Sequence, residues 1–169
     1  MRHSRSQSRF RSTLGAVCLA LASLTAGCGD GLNALEALEV TDIVTGWYDV
    51  GVVDGKNKIV PTISFRLRNT ADRPITSIQV NAVFRIIGDQ EELGSSFVRA
   101  IDSGGLTAGA TTESFVLRSN LGYQSEASRA DMLGHSLFED AQVELFVKHG
   151  SDQWAKIGEH PVQRQLLTQ

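Results

Sequence analysis

The chain has 169 residues with 16 Lys and Arg against 19 Asp and Glu, a formal net charge of −3, and only two Cys. An acidic balance without a basic run lacks the positive footprint of a nucleic-acid-binding protein and excludes that class. The length suits one folded domain and leaves no room for a second of ordinary size.

Arg2, Arg5, Arg9 and Arg11 stand among Ser residues with no acid up to Thr13, and Leu14 to Leu24 is apolar apart from Ser23. A positive start, a short apolar block and small residues ahead of a cut are the three parts of a secretory signal. The block is too short to span a bilayer, which takes about 20 apolar residues. Its clean apolar character also differs from the amphipathic layout of a mitochondrial presequence. Ala20 and Ala22 satisfy the small-x-small rule and would allow an ordinary secretory cut before Ser23. The run Leu24-Thr25-Ala26-Gly27-Cys28 resembles the lipobox of bacterial lipoproteins. That resemblance implies a signal peptide over residues 1–27, cleavage before Cys28, and acylation of the Cys28 thiol and the new amino group with palmitate-type chains. Gly29 rather than Asp follows the Cys, which by the same resemblance points to the periplasmic face of an outer membrane. Cys18 lies in the block that would be removed, so the mature domain has no internal disulfide and must be stable through its core.

All four of those Arg and none of the acids precede Cys28, so the part from Cys28 onward carries 12 basic and 19 acidic side chains, a formal charge of −7. Such a surface has no electrostatic affinity for anionic lipid. Attachment would come from acyl chains, each buried methylene contributing about 0.8 kcal/mol, with more than one chain needed for durable anchoring. Residues 28–37 form the lipidated N-terminus and a tether, whose reach from Gly29 to Ala37 is at most about 30 Å. Leu32, Leu35 and Leu38 recur at helical spacing within it, which predicts a short helix packed on the domain or the membrane.

From residue 38 to 169 alternation dominates. Ile59, Pro61, Ile63, Phe65 and Leu67 fall on one face of an extended segment and Thr62, Ser64, Arg66 and Arg68 on the other; Ile78, Val80, Ala82, Phe84 and Ile86 repeat the pattern against Gln79, Asn81 and Arg85. One buried and one wet face per strand is the antiparallel signature. Further strands are expected over Leu38 to Val53, Leu93 to Ile101, Thr111 to Arg118, Ala141 to His149 and Gln153 to Leu166. Asp54-Gly55 is a hairpin signal, and Asn69 to Pro74, Gly88 to Glu92, Gly104-Gly105 and Gly150 to Asp152 punctuate the rest. Short strands at this spacing predict an all-β sandwich, with a small barrel as the alternative. One short helix interrupts it: Ser125 would cap it, Ala127, Ala130 and Leu133 would share a face, and Gly134 would end it.

The order Phe65-x-Leu67-x-Asn69, Pro74-Ile75, Ile78-x-Val80 and Phe84, then Leu106 to Gly109 before Phe115-x-Leu117, resembles the immunoglobulin-like domains of bacterial envelope proteins, including the FxLYD type. It covers roughly residues 60 to 117. The resemblance implies an immunoglobulin-like antiparallel β-sandwich that binds or scaffolds rather than catalyses, and it supplies no site residues.

Candidate chemistry is sparse. Asp131, His135 and Glu139 recur every four residues and would share a face of a continuous helix, a set suited to zinc, but Gly134 interrupts them. A solvated polar edge is the plainer reading, and no metal, cofactor or catalytic residue is assigned. His149 and His160 flank the last hairpin without meeting and are expected at the surface. Trp47, Tyr48, Tyr123 and Trp154 could line a groove for a glycan or lipid, or else pack in the core and its rim. Asp89, Glu91 and Glu92 are expected to form a solubilising loop. The sequence thus points to a membrane-anchored, non-enzymatic envelope lipoprotein with Cys28 as the lipidation site and a possible envelope protein as partner; a ligand-binding lipoprotein for a glycan or lipid is the alternative, and a metal-dependent envelope enzyme through Asp131, His135 and Glu139 a more distant one.

Overall fold

A computed structural model describes residues 33–89 and 91–167. The expected signal peptide, the expected lipidation site at Cys28 and the start of the expected tether lie outside the described residues. The elements in chain order are α1 (Ala34–Ala37), β1 (Leu38–Val53), β2 (Lys56–Asn69), β3 (Ile78–Ile86), β4 (Glu92–Ile101), β5 (Phe115–Arg118), β6 (Tyr123–Ser125), α2 (Arg129–Gly134), β7 (Ala141–His149), β8 (Ala155–Pro161) and β9 (Leu166–Leu167).

Two sheets result. One has the order β5-β2-β1-β9, with β6 also paired to β2; the other has the order β4-β3-β7-β8. Every pairing is antiparallel except the two-residue contact of Trp47 and Tyr48 with Leu166 and Leu167. In strand letters the sheets are A, B, E and C′, C, F, G, the immunoglobulin-like arrangement of a β-sandwich. Its core is what the alternation requires: Ile59, Ile63, Phe65 and Leu67 from β2 share one cluster with Ile78, Val80, Ala82 and Phe84 from β3 and Val143, Leu145 and Val147 from β7. Asp54 and Gly55 both have positive φ (52° and 78°) and make the two-residue β1–β2 turn, the geometry that Asp-Gly favours.

Several expectations are corrected. Thr62 and Val60, which point outward from β2, are buried. Tyr48 pairs with Val60, Arg118 pairs with Thr62, and the Arg118 guanidinium lies 3.8 Å from the Tyr48 ring centroid, so this stacked pair roofs the strand. The strand expected from Thr111 begins at Phe115, because ahead of it Thr112 bonds Leu67 through its own hydroxyl and amide. The strand expected over Gln153 to Leu166 divides into β8 and β9. After Pro161 the chain leaves the second sheet for the first: the Thr45 hydroxyl donates to the Pro161 carbonyl and accepts from the Gln163 amide, and the Trp47 amide donates to the Gln165 carbonyl.

The helix before β7 is capped by Ser128, whose hydroxyl accepts from the Asp131 amide, and not by Ser125, whose hydroxyl accepts from Ala127 at the end of β6. Ala127 and Ala130 are exposed, and the buried residues of this segment are Met132, Leu133 and Phe138. A second short helix, α1, occupies the tether's end, capped by Asn33. It packs where β1 begins and β7 turns into β8, since the Ala37 carbonyl accepts from Thr70 and the first residues of α1 share a cleft with Val147 to His149. The β1–β2 turn, the β3–β4 loop and α2 lie at the opposite end.

Candidate functional site

The three residues at helical spacing are each engaged locally. Asp131 accepts from the Ser128 hydroxyl at 2.6 Å as part of the α2 cap. His135 stands just past α2, and its Nδ1 accepts from the Leu137 amide at 3.1 Å. Glu139 is exposed in the segment leading to β7. Among the described residues no group of three or more His, Cys, Asp or Glu side chains is placed to hold a metal ion.

The two histidines of the last hairpin are separated as its register dictates. His149 lies beside the turn with Nδ1 3.5 Å from Asp152, whereas His160 sits along β8 opposite Val143. The expectation of a surface position fails for His160. A register shift between Leu145 and Phe146 sets Gly158 and His160 opposite the core residues Leu145 and Val143, so the imidazole turns inward. Its Nε2 is buried without a partner, and a Cβ on Gly158 would lie 2.9 Å from that atom. Burial pushes the His160 pKa below its ordinary 6.5. The unfolded chain therefore binds a proton more readily than the folded one, and stability falls as pH drops below about 6.5 toward the lower folded value. We expect His160→Gln to flatten stability over that window; an unchanged slope in urea unfolding between pH 7 and pH 5 would contradict the inward placement.

Arg85, Glu144, Lys156 and Glu159 form a charged cluster across β3, β7 and β8. Glu144 accepts from Arg85 Nε at 3.0 Å and from Lys156 Nζ at 2.7 Å, and Lys156 also pairs with Glu159. The Lys156 hydrogen bond, helped by Arg85 against partial burial, holds the Glu144 carboxyl below its ordinary 4.5. This contribution is present above about pH 4.5 and is lost as pH falls through the lower folded value. The acid loop is also structured from within, since Asp89 accepts from the Glu91 amide at 3.0 Å.

The four aromatic candidates have three different fates. Trp47 has 0% exposure and packs against Tyr123 and Phe138, with ring centroids 5.5 and 4.8 Å away. It cannot line a groove, and that part of the ligand-binding expectation is withdrawn. Tyr48 lies under Arg118, as described. Trp154 alone of the two tryptophans presents its ring, at 41% exposure, on the outer side of the β4-β3-β7-β8 sheet. Phe97 meets it edge-on at 6.3 Å and the Lys148 ammonium lies 5.1 Å from its ring centroid. The pairings Arg99–Gln79–Lys148 and Phe97–Asn81–Phe146 make this face a polar and aromatic surface. Phe97 was not among the expected functional residues. Its signal was an aromatic residue at a wet-face position of β4, between Ser95 and Arg99.

No protein-family model matches the chain, and no curated protein matches it.

Proposed function

We propose that the protein is a lipid-anchored lipoprotein of the bacterial cell envelope whose β-sandwich is a non-enzymatic interaction module. The observation that carries this reading is the run Leu24-Thr25-Ala26-Gly27-Cys28 behind an Arg-rich start and a short apolar block. The sandwich is compatible with it, because it needs no disulfide: its core runs continuously from β2 through β3 and β7. The side chains that could have suggested catalysis are used otherwise, Asp131 in a helix cap and His135 in a turn. The periplasmic face of the outer membrane is the favoured address, by the residue after Cys28.

The interaction role predicts a defined envelope partner. Cross-linking in intact cells, followed by recovery from detergent-solubilised envelopes, should return the same envelope protein repeatedly and in fixed proportion. Recovery of this chain alone across repeated experiments would count against the module. The ligand-binding alternative now rests on Trp154, whose exposed ring lies 5.1 Å from the Lys148 ammonium.

A further inference from the structure

We infer that the corner of the sandwich carrying Leu35, Lys148 and Trp154 rests on the lipid surface to which Cys28 is attached; the inference builds on the anchor proposed above. Asn33 caps α1 only five residues after Cys28, and five extended residues span at most about 18 Å. The end of the sandwich that holds α1 is therefore kept beside the headgroups.

That end has the side chains for the contact. Leu35, at 44% exposure, lines a cleft with Asp152, Gln153 and Ala155, the residues on either side of Trp154. Trp154 is held by Phe97 and Lys148 rather than left to swing. Trp at the headgroup level beside a long basic side chain is the pairing that membrane interfaces favour, the ring among the headgroups and the ammonium toward phosphate. Arg99 lies in the same row of the sheet through Gln79, and among the described residues no acid pairs with it. The neighbouring Asp152 carboxylate is exposed, 3.5 Å from His149 Nδ1, and offsets part of this positive charge.

Acids stand at both ends of the sandwich: Asp54, Asp89, Glu91, Glu92, Glu126 and Asp131 lie at the β1–β2 turn, the β3–β4 loop and the entry to α2, and Glu36, Asp72, Asp102 and Asp152 lie at the end that holds α1. Anionic headgroups repel carboxylates at either end, so reach and the apolar side chains set the orientation. The docking corner is not itself strongly basic, so its contact is made by the ring and the leucine. A weak contact suffices, because a short tether holds the corner at an effective concentration in the millimolar range.

The test uses the full-length protein, purified with its own lipid and reconstituted into phosphatidylethanolamine–phosphatidylglycerol vesicles with brominated acyl chains. A Trp47→Phe form leaves Trp154 as the sole emitter, and the difference between wild type and Trp154→Phe gives the same quantity should that form fold poorly. We expect the protein to float with the vesicles and Trp154 emission to fall at least two-fold relative to unbrominated lipid. Leu35→Ser combined with Lys148→Glu should reduce the quenching at unchanged flotation. Flotation without quenching would overturn the docking and leave the anchor standing, whereas failure to float would overturn both. Quenching unaffected by the double variant would overturn the assignment to this corner. Emission that responds to added peptidoglycan fragments and not to lipid would give the face to a glycan and also overturn it.

Discussion

Replacing Trp47 with Ala should lower the stability of the domain by about 3 to 5 kcal/mol, the range for deleting a large aromatic from a packed core. Trp47 has no exposed surface, and it is the common neighbour of Tyr123 and Phe138, which themselves pack at 4.8 Å. Phe138 in turn lies under the Arg164 guanidinium, which bonds the Phe138 carbonyl at 2.8 Å and Asp140 at 2.6 Å. Truncating the indole opens a cavity that these fixed neighbours cannot close. Against a total stability of about 5 to 15 kcal/mol for an ordinary domain, the loss is a large fraction. Trp47→Phe should be far milder. The indole Nε1 is buried with no hydrogen-bond partner, so the smaller ring removes an unsatisfied donor worth about 1 to 3 kcal/mol while giving up part of the packing. Urea unfolding followed by circular dichroism measures both variants. A loss below about 1 kcal/mol for Trp47→Ala would mean that the ring does not fill this core.

Asn69→Ala is expected to cost about 3 kcal/mol, a loss out of proportion to the few atoms removed. Asn69 has 0% exposure at the end of β2. Its Nδ2 donates to the carbonyls of Arg73 and Leu106, both at 2.9 Å, and its Oδ1 accepts from the Ala71 amide at 2.9 Å. The side chain therefore ties the loop after β2 to the loop before β5. Ala takes its donor from the Arg73 carbonyl and its acceptor from the Ala71 amide, while the Leu106 carbonyl keeps the Ile75 amide, and each group left unpaired costs about 1 to 3 kcal/mol if water cannot reach it. Asn69→Asp should do no better, because it keeps one acceptor and turns a negative charge toward two carbonyl oxygens. Asn33→Ala is the control: its side chain accepts a single exposed bond from Leu35, and a cap of this kind is worth about 1 kcal/mol. Equal midpoints for Asn69→Ala and Asn33→Ala would show that the clamp has no special weight.

Much of the fold was legible because half-buried strands write their faces into the sequence. The bounds of β1, β3 and β7 are those the alternation indicates, and Asp54-Gly55 announces its turn by the conformations it tolerates. What alternation cannot report is the neighbour that covers a wet face or the register of a pairing. Thr62 is polar and outward yet buried, because Tyr48 and Arg118, distant in sequence, meet above it. His160 turns inward through a one-residue shift on β7–β8 that leaves no mark in composition. Ser125 and Ser128 are equally good caps in isolation; β6 claims the first by pairing with β2. For the outer face of the second sheet, Trp154 was visible as an aromatic, but its supports Phe97 and Lys148 come from other strands. Only the sheet order brings them together.

The measurement that bears most directly on the account is metabolic labelling with an alkyne fatty acid, comparing wild type with Cys28→Ser, together with the mass of the mature N-terminal peptide. Several acyl chains at about 0.8 kcal/mol per buried methylene bind a bilayer durably, and the acidic domain cannot substitute for them. Wild type should carry label on a mature chain that begins at an acylated Cys28, and the Cys28→Ser form should be unlabelled and either uncleaved or absent from the membrane fraction. Equal labelling of the two forms, or a mature N-terminus at Ser23, would contradict acylation at Cys28.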